Sequence, residues 1–144
     1  MNKFAVLTVI ALALVSCKPQ TDYKEKRQEV IKVHDVVMAD QGKVVDKQMQ
    51  LENMLKDLPA VMAKNPTIDS IKEKDSIIIV RDRLLKAEEA MNTWMHEFEP
   101  DVTGKSDEAA IAYFEAEKLK IEKVDTLFKQ ELKNADAYLS KFKK

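Results

Sequence analysis

Residues that break helices are scarce in this chain, and where they fall decides what it can become. Only 2 Gly and 4 Pro occur among 144 residues. Ordinary usage of about 7% Gly and 5% Pro would supply roughly 10 and 7. Sandwiches, barrels and dinucleotide-binding folds need residues that tolerate positive φ in their turns and phosphate loops. A glycine shortage this deep argues against all of them. Apart from Gly42, the breakers lie at three places: Pro19, the pair Pro59 and Pro66, and the pair Pro100 and Gly104. A few long helices joined by few turns satisfy that spacing. Charge makes up 34% of the chain, apolar residues 45%, and the net charge is -1. That balance excludes a disordered chain and a basic nucleic-acid binder.

Between the breaks, apolar residues recur at helical spacing. Val30, Val37, Val44, Leu51 and Leu58 line a first segment over 22–58, with Ile31, Met38 and Val45 beside them. Ile77, Leu84, Met91 and Phe98, alternating with Val80, Ala87 and Trp94, line a second over 70–99. Phe114, Ile121, Phe128, Ala135 and Phe142 line a third over 106–143, with Val124 and Tyr138 between. Ser70 with Glu73 fits a capping box at the start of the second, and Ser106 an N-cap for the third. Three seams of this kind bury one another. The expected fold is all-α: an up-down-up antiparallel three-helix bundle with long, coiled-coil-like helices. A long coiled coil that dimerises is the alternative, and two breaks rich in Pro and Gly disfavour it. Gly42 falls inside the first helix, on the flank of Ile31, Met38, Val45 and Met49. It costs about 1 kcal/mol relative to Ala, and is expected to permit close helix approach or a local kink. His34, Gln41 and Gln48 put polar groups on the first seam, where they would either fix register or lie on a shallow edge.

The N-terminus reads as an address. Lys3 is followed by an uncharged run, Phe4–Val15, too short to cross a membrane as a helix. Leu14-Val15-Ser16-Cys17 then resembles the bacterial lipobox, with Cys17 the only cysteine. The expected organisation is a lipoprotein signal peptide over 1–16, a lipidated Cys17 with a tether over 17–26, and the helical domain over 27–144. More than one acyl chain on Cys17 would anchor the protein stably.

Little else carries chemistry. Gly104-Lys105-Ser106 resembles the tail of a phosphate loop, but Glu99 stands where the first glycine of that motif belongs. Cys-x-x-Cys, Cys-x-x-Cys-His and His-Glu-x-x-His motifs are absent from the sequence. No catalytic residues and no cofactor are expected, and the reading is non-enzymatic. One constellation is worth weighing. If the first two helices are antiparallel about the first break, His34 lies level with Trp94, and Met38 with Ala90 and Met91. His34, Met38, Met91, Trp94, Met95 and His96 would then gather at the end of the bundle nearest the anchor. Such residues ordinarily fill core. The sharper alternative is a small-ligand site, or a metal site holding Cu(I) or haem iron.

Several elements together resemble a group of small helical lipoproteins from Bacteroidota. They are the lipobox, His34-Asp35-Val36-Val37-Met38, Met91-Asn92-Thr93-Trp94-Met95-His96-Glu97-Phe98-Glu99-Pro100, Ala112-Tyr113, and Lys120-Ile121-Glu122-Lys123-Val124. Some members carry names invoking viral A-type inclusion proteins, a coiled-coil likeness without functional content. The resemblance implies location and architecture, and no activity. It implies an envelope protein held to a membrane by lipid. Residues 18–22 are weakly charged, which favours an outer-membrane anchor facing the periplasm over surface display. Asp69-Ser70-Ile71, Asp75-Ser76-Ile77 and Asp125-Thr126-Leu127 resemble the short O-glycosylation signal of that phylum, with Ser70 the site nearest a loop. The expected role is a helical interaction or scaffold module with an envelope protein partner and no nucleic acid.

Overall fold

The computed structural model describes residues 22–67 and 69–142. The signal segment and Cys17 lie outside the described residues. The chain is all-α, with no strand among the described residues. Helices α1 (Tyr23–Lys56), α2 (Leu58–Ala63), α3 (Ser70–Glu97) and α4 (Asp107–Leu139) pack against each other, and a 3-10 turn (Ser140–Phe142) follows α4. None of these helices is long and apolar enough to cross a membrane.

The breaks act as the sequence suggests, with two corrections. Pro59 opens the short helix α2 rather than ending α1. A proline has no N–H to lose in a first turn, so it initiates a helix as readily as it stops one. Asp57 joins the two helices, its N–H donating to the carbonyl of Asn53 at 3.1 Å. At the start of α3 the cap is Asp69, not Ser70. The Asp69 carboxylate accepts from the N–H groups of Ile71 at 3.0 Å and Lys72 at 3.3 Å. Glu73, the acid of the expected capping box, instead accepts the hydroxyl of Tyr138. Ser106 caps α4 as expected, accepting from Ala109 N–H at 3.3 Å. Gly104, in the loop before it, supplies the one positive φ among the described residues, +88°.

The seams are buried along most of their length; at their ends Leu58, Phe98 and Phe142 are half-buried. Val30, Val37, Val44 and Leu51 of α1, Ile77, Leu84 and Met91 of α3, and Phe114, Ile121, Phe128 and Ala135 of α4 are fully inaccessible. At about 25 cal/mol per Å² of apolar surface, each large side chain contributes roughly 1.5–3 kcal/mol. Direction is read from side-chain pairs. Between α1 and α4, Lys26 meets Glu115 at 3.3 Å, Glu29 meets Lys118 at 2.6 Å and Lys47 meets Asp136 at 2.5 Å. Each pair is separated by the same 89 residues, so α1 and α4 run parallel. The Lys118 ammonium holds the Glu29 carboxyl below its usual range, and Glu29 raises the Lys118 ammonium in turn. Between α3 and α4, Glu73 bonds Tyr138 near one end and Phe98 stacks on Tyr113 at the other. Those two helices run in opposite senses.

Three smaller expectations change. Helix α1 starts at Tyr23, inside the stretch read as tether, and Lys26 is already an ion-pair partner. Gly42 is exposed, and a Cβ there would meet nothing within 4 Å, so no helix of the bundle itself approaches it closely. The polar seam divides: Gln48 is buried and donates to Glu88 at 2.9 Å, whereas Gln41 and His34 are half-buried.

Candidate functional site

The α3–α4 loop and the N-terminal third of α1 come together around an aromatic row. Trp94 lies on the inner face of α3, one turn before Phe98, and the two rings stack with centroids 4.7 Å apart. Phe98 caps α3 and continues the row to Tyr113 at 6.5 Å and Phe114 at 6.3 Å. On the other side of Trp94, the His34 ring of α1 lies at 6.0 Å. Rows of this kind are stabilised by offset stacking beyond their buried area. Tyr113 also holds the loop: its hydroxyl oxygen accepts the N–H of Glu99 at 2.8 Å. Burial pushes the Tyr113 hydroxyl above its ordinary range.

A cleft of about 360 Å³ opens beside the row, lined by Ile31, His34, Asp35, Trp94, Met95, Phe98 and Pro100. Its volume sits near the lower end of small-molecule sites, about 300–1,000 Å³. His34 forms its polar edge, with Nδ1 at 3.0 Å from an Asp35 carboxylate oxygen.

Of the six residues that helix geometry grouped, His34, Trp94 and Met95 line this cleft. The other three do not. Met91 is fully buried in the seam one turn below Trp94. Met38 and His96 are exposed and outside the cleft. Among the described residues no three His, Cys, Asp or Glu side chains converge as a metal site would need. Ser70 is exposed in the first turn of α3. The hydroxyls of Ser76 and Thr126 each donate to the carbonyl one turn back, at 2.9 Å.

One residue at this end escaped sequence reasoning. Glu117 of α4 is only 3% exposed and stands in the seam between Phe114 and Ile121. One carboxylate oxygen pairs with Lys120 at 2.7 Å, while Oε2 is buried without a partner among the described residues. The indole Nε1 of Trp94 is buried and unpartnered in the same way. An acid at a seam position was the available signal, but a Glu beside a Lys three residues on reads as helix surface.

Comparison with family models, with curated proteins and with solved structures finds no match.

Proposed function

We propose that this chain is a lipid-anchored, non-enzymatic module of the cell envelope: an up-down-up three-helix bundle, preceded by a lipoprotein signal peptide and tethered through Cys17, that engages a partner protein along its side. Membership of the Bacteroidota lipoprotein group and an outer-membrane anchor facing the periplasm belong to the same reading. The observation that carries it is the uncovered apolar stripe of α1. Ile31, Met38, Val45 and Met49 follow one flank of the helix, and Met38 and Met49 remain 38% and 56% exposed. Gly42 lies on that flank with open space above it. Helix α1 is 34 residues, about 51 Å long at 1.5 Å per residue. Its ion pairs to α4 occupy the opposite flank, which leaves the stripe as a preformed edge suited to an amphipathic partner helix.

A photo-crosslinking amino acid at Met38 or Met49, in cells, is expected to give an adduct of defined mass, and the same group at Ile71 on α3 none. Equal adducts at all three positions, or none at any, would count against the reading. Labelling with radioactive palmitate tests the anchor separately: Cys17→Ala is expected to abolish incorporation, and unchanged labelling would overturn lipidation.

The cleft beside Trp94 supports a second reading, a small-ligand module. Of the residues first grouped as a soft-metal or haem site, only His34 and Met95 stand with Trp94 at the cleft, which favours an organic ligand over copper or haem.

A further inference from the structure

The chemistry of the cleft is lopsided. Its walls are carbon: Ile31, Met95, Phe98 and Pro100, with Trp94 as the floor. It contains one carboxylate, Asp35, and neither lysine nor arginine. An anionic ligand would meet the Asp35 carboxylate with no lysine or arginine in the lining to hold it, and like charges at close range repel. The hydrogen-bonding edge is equally one-sided. A carboxylate only accepts, so the 3.0 Å contact to Asp35 places the neutral imidazole's proton on Nδ1 of His34. Its Nε2 then carries a lone pair, and no described protein group donates to it. What this edge lacks is a hydrogen-bond donor.

We propose that the cleft binds a small uncharged aromatic molecule carrying a hydroxyl, with the ring against Phe98 and the hydroxyl donating to Nε2 of His34. The inference rests on the cleft being a ligand site, and it adds what the ligand must be. Charge excludes acids, the apolar walls exclude sugars and other all-polar solutes, and the lone pair on Nε2 selects a donor over a bare hydrocarbon. A hydroxyl donating to Nε2 of the half-buried His34 gains a hydrogen bond that a bare hydrocarbon cannot make.

The chain has 1 Trp, so a ¹⁵N-labelled sample gives a single indole N–H resonance, and it belongs to the floor of the cleft. The full chain carrying Cys17→Ala, which removes any competing lipid, is titrated with 1-naphthol, naphthalene and 1-naphthoate. These share one ring system and differ in a donor, nothing, or a negative charge. The expected result is a saturable shift with 1-naphthol at a Kd at least tenfold below that of naphthalene, and no saturation with 1-naphthoate. His34→Ala should bring 1-naphthol down to the naphthalene value, His34→Gln, which keeps an acceptor, should retain part of the preference, and Phe98→Ala should weaken both; a dispersed amide spectrum in each free variant, changed only beside the replaced ring, certifies the fold. Equal binding of 1-naphthol and naphthalene, or naphthol binding indifferent to His34, overturns the assigned ligand class and leaves the cleft reading standing. Absence of a saturable shift with all three probes overturns both.

Discussion

Trp94 and Glu117 stand in the same layer between α3 and α4, each ending in a buried polar atom without a partner among the described residues. The layer follows from the antiparallel pairing. Phe98 stacks on Tyr113, and one turn back along α3 and one turn on along α4 lead to Trp94 and Glu117. Trp94 is 5% exposed and Glu117 3%. The indole N–H can only donate and the ionised carboxylate can only accept, so they are complementary yet unjoined. A buried carboxylate held by one lysine at its edge is poorly compensated, and replacing such a group by an apolar one of similar volume is often stabilising. Glu117→Met is therefore expected to raise stability by about 1–2 kcal/mol, measured by urea unfolding followed through Trp94 fluorescence. A loss of that size would mean that the carboxylate is well solvated inside the bundle, by a trapped water shared with Trp94.

At the far end of α3, the Tyr138 hydroxyl donates to Glu73. Burial first, and the Glu73 bond second, push the Tyr138 hydroxyl far above its ordinary range. The folded state therefore keeps this proton where the unfolded chain, titrating near pH 10, has lost it. The associated stability is complete below about pH 10 and declines as pH rises beyond it. Unfolding midpoints between pH 8 and pH 11.5 should fall more steeply for the wild type than for Tyr138→Phe. At pH 8 the variant should be the less stable by about 1.5–3 kcal/mol, the worth of a hydrogen bond to a charged acceptor. Parallel alkaline limbs would show that Tyr138 titrates alike in both states.

The N-cap of α3 separates two adjacent residues. Asp69 takes two backbone N–H groups that would otherwise lack partners. Asp69→Ala should cost about 1 kcal/mol, whereas Ser70→Ala, at an exposed position with no capping role, should stay within about 0.5 kcal/mol. Thermal unfolding of the two variants side by side decides it. A larger effect at Ser70 would restore the capping box.

Most of the architecture was legible because heptad spacing and breaker positions agree. The heptad repeat makes one seam of Val30, Val37, Val44, Leu51 and Leu58; the first four are fully buried, while Leu58 falls in α2 and is half-buried. Trp94 and His34 were placed level from helix geometry alone, and their rings do approach. Helix α2 was not legible, since a proline's effect depends on which turn it occupies and Pro59 could be read either way. Met38 joins the group in sequence because antiparallel register sets it level with Ala90 and Met91. The four-residue step from His34 nonetheless rotates a side chain about 40° past a full turn, which is enough to leave it on the rim in solvent. Glu117 was invisible for a different reason. Binary patterning assigns a carboxylate to the surface, and only the neighbours of a seam position reveal that it is enclosed.

Gly42 tests the remaining sequence expectation. Within α1 it carries the entropic penalty of glycine in a helix, about 1 kcal/mol relative to Ala. Its surroundings offer no compensation inside the molecule: an added Cβ meets nothing within 4 Å. Gly42→Ala should accordingly stabilise the isolated protein by up to about 1 kcal/mol. Stability and partner binding then part company. If the α1 stripe receives a helix, glycine at its centre lets that helix approach closely, and Gly42→Leu should weaken crosslinking from Met38 and Met49 while leaving the fold at least as stable as the wild type. A variant that gains stability and crosslinks unchanged would detach Gly42 from partner binding and leave the glycine without a role in the bundle.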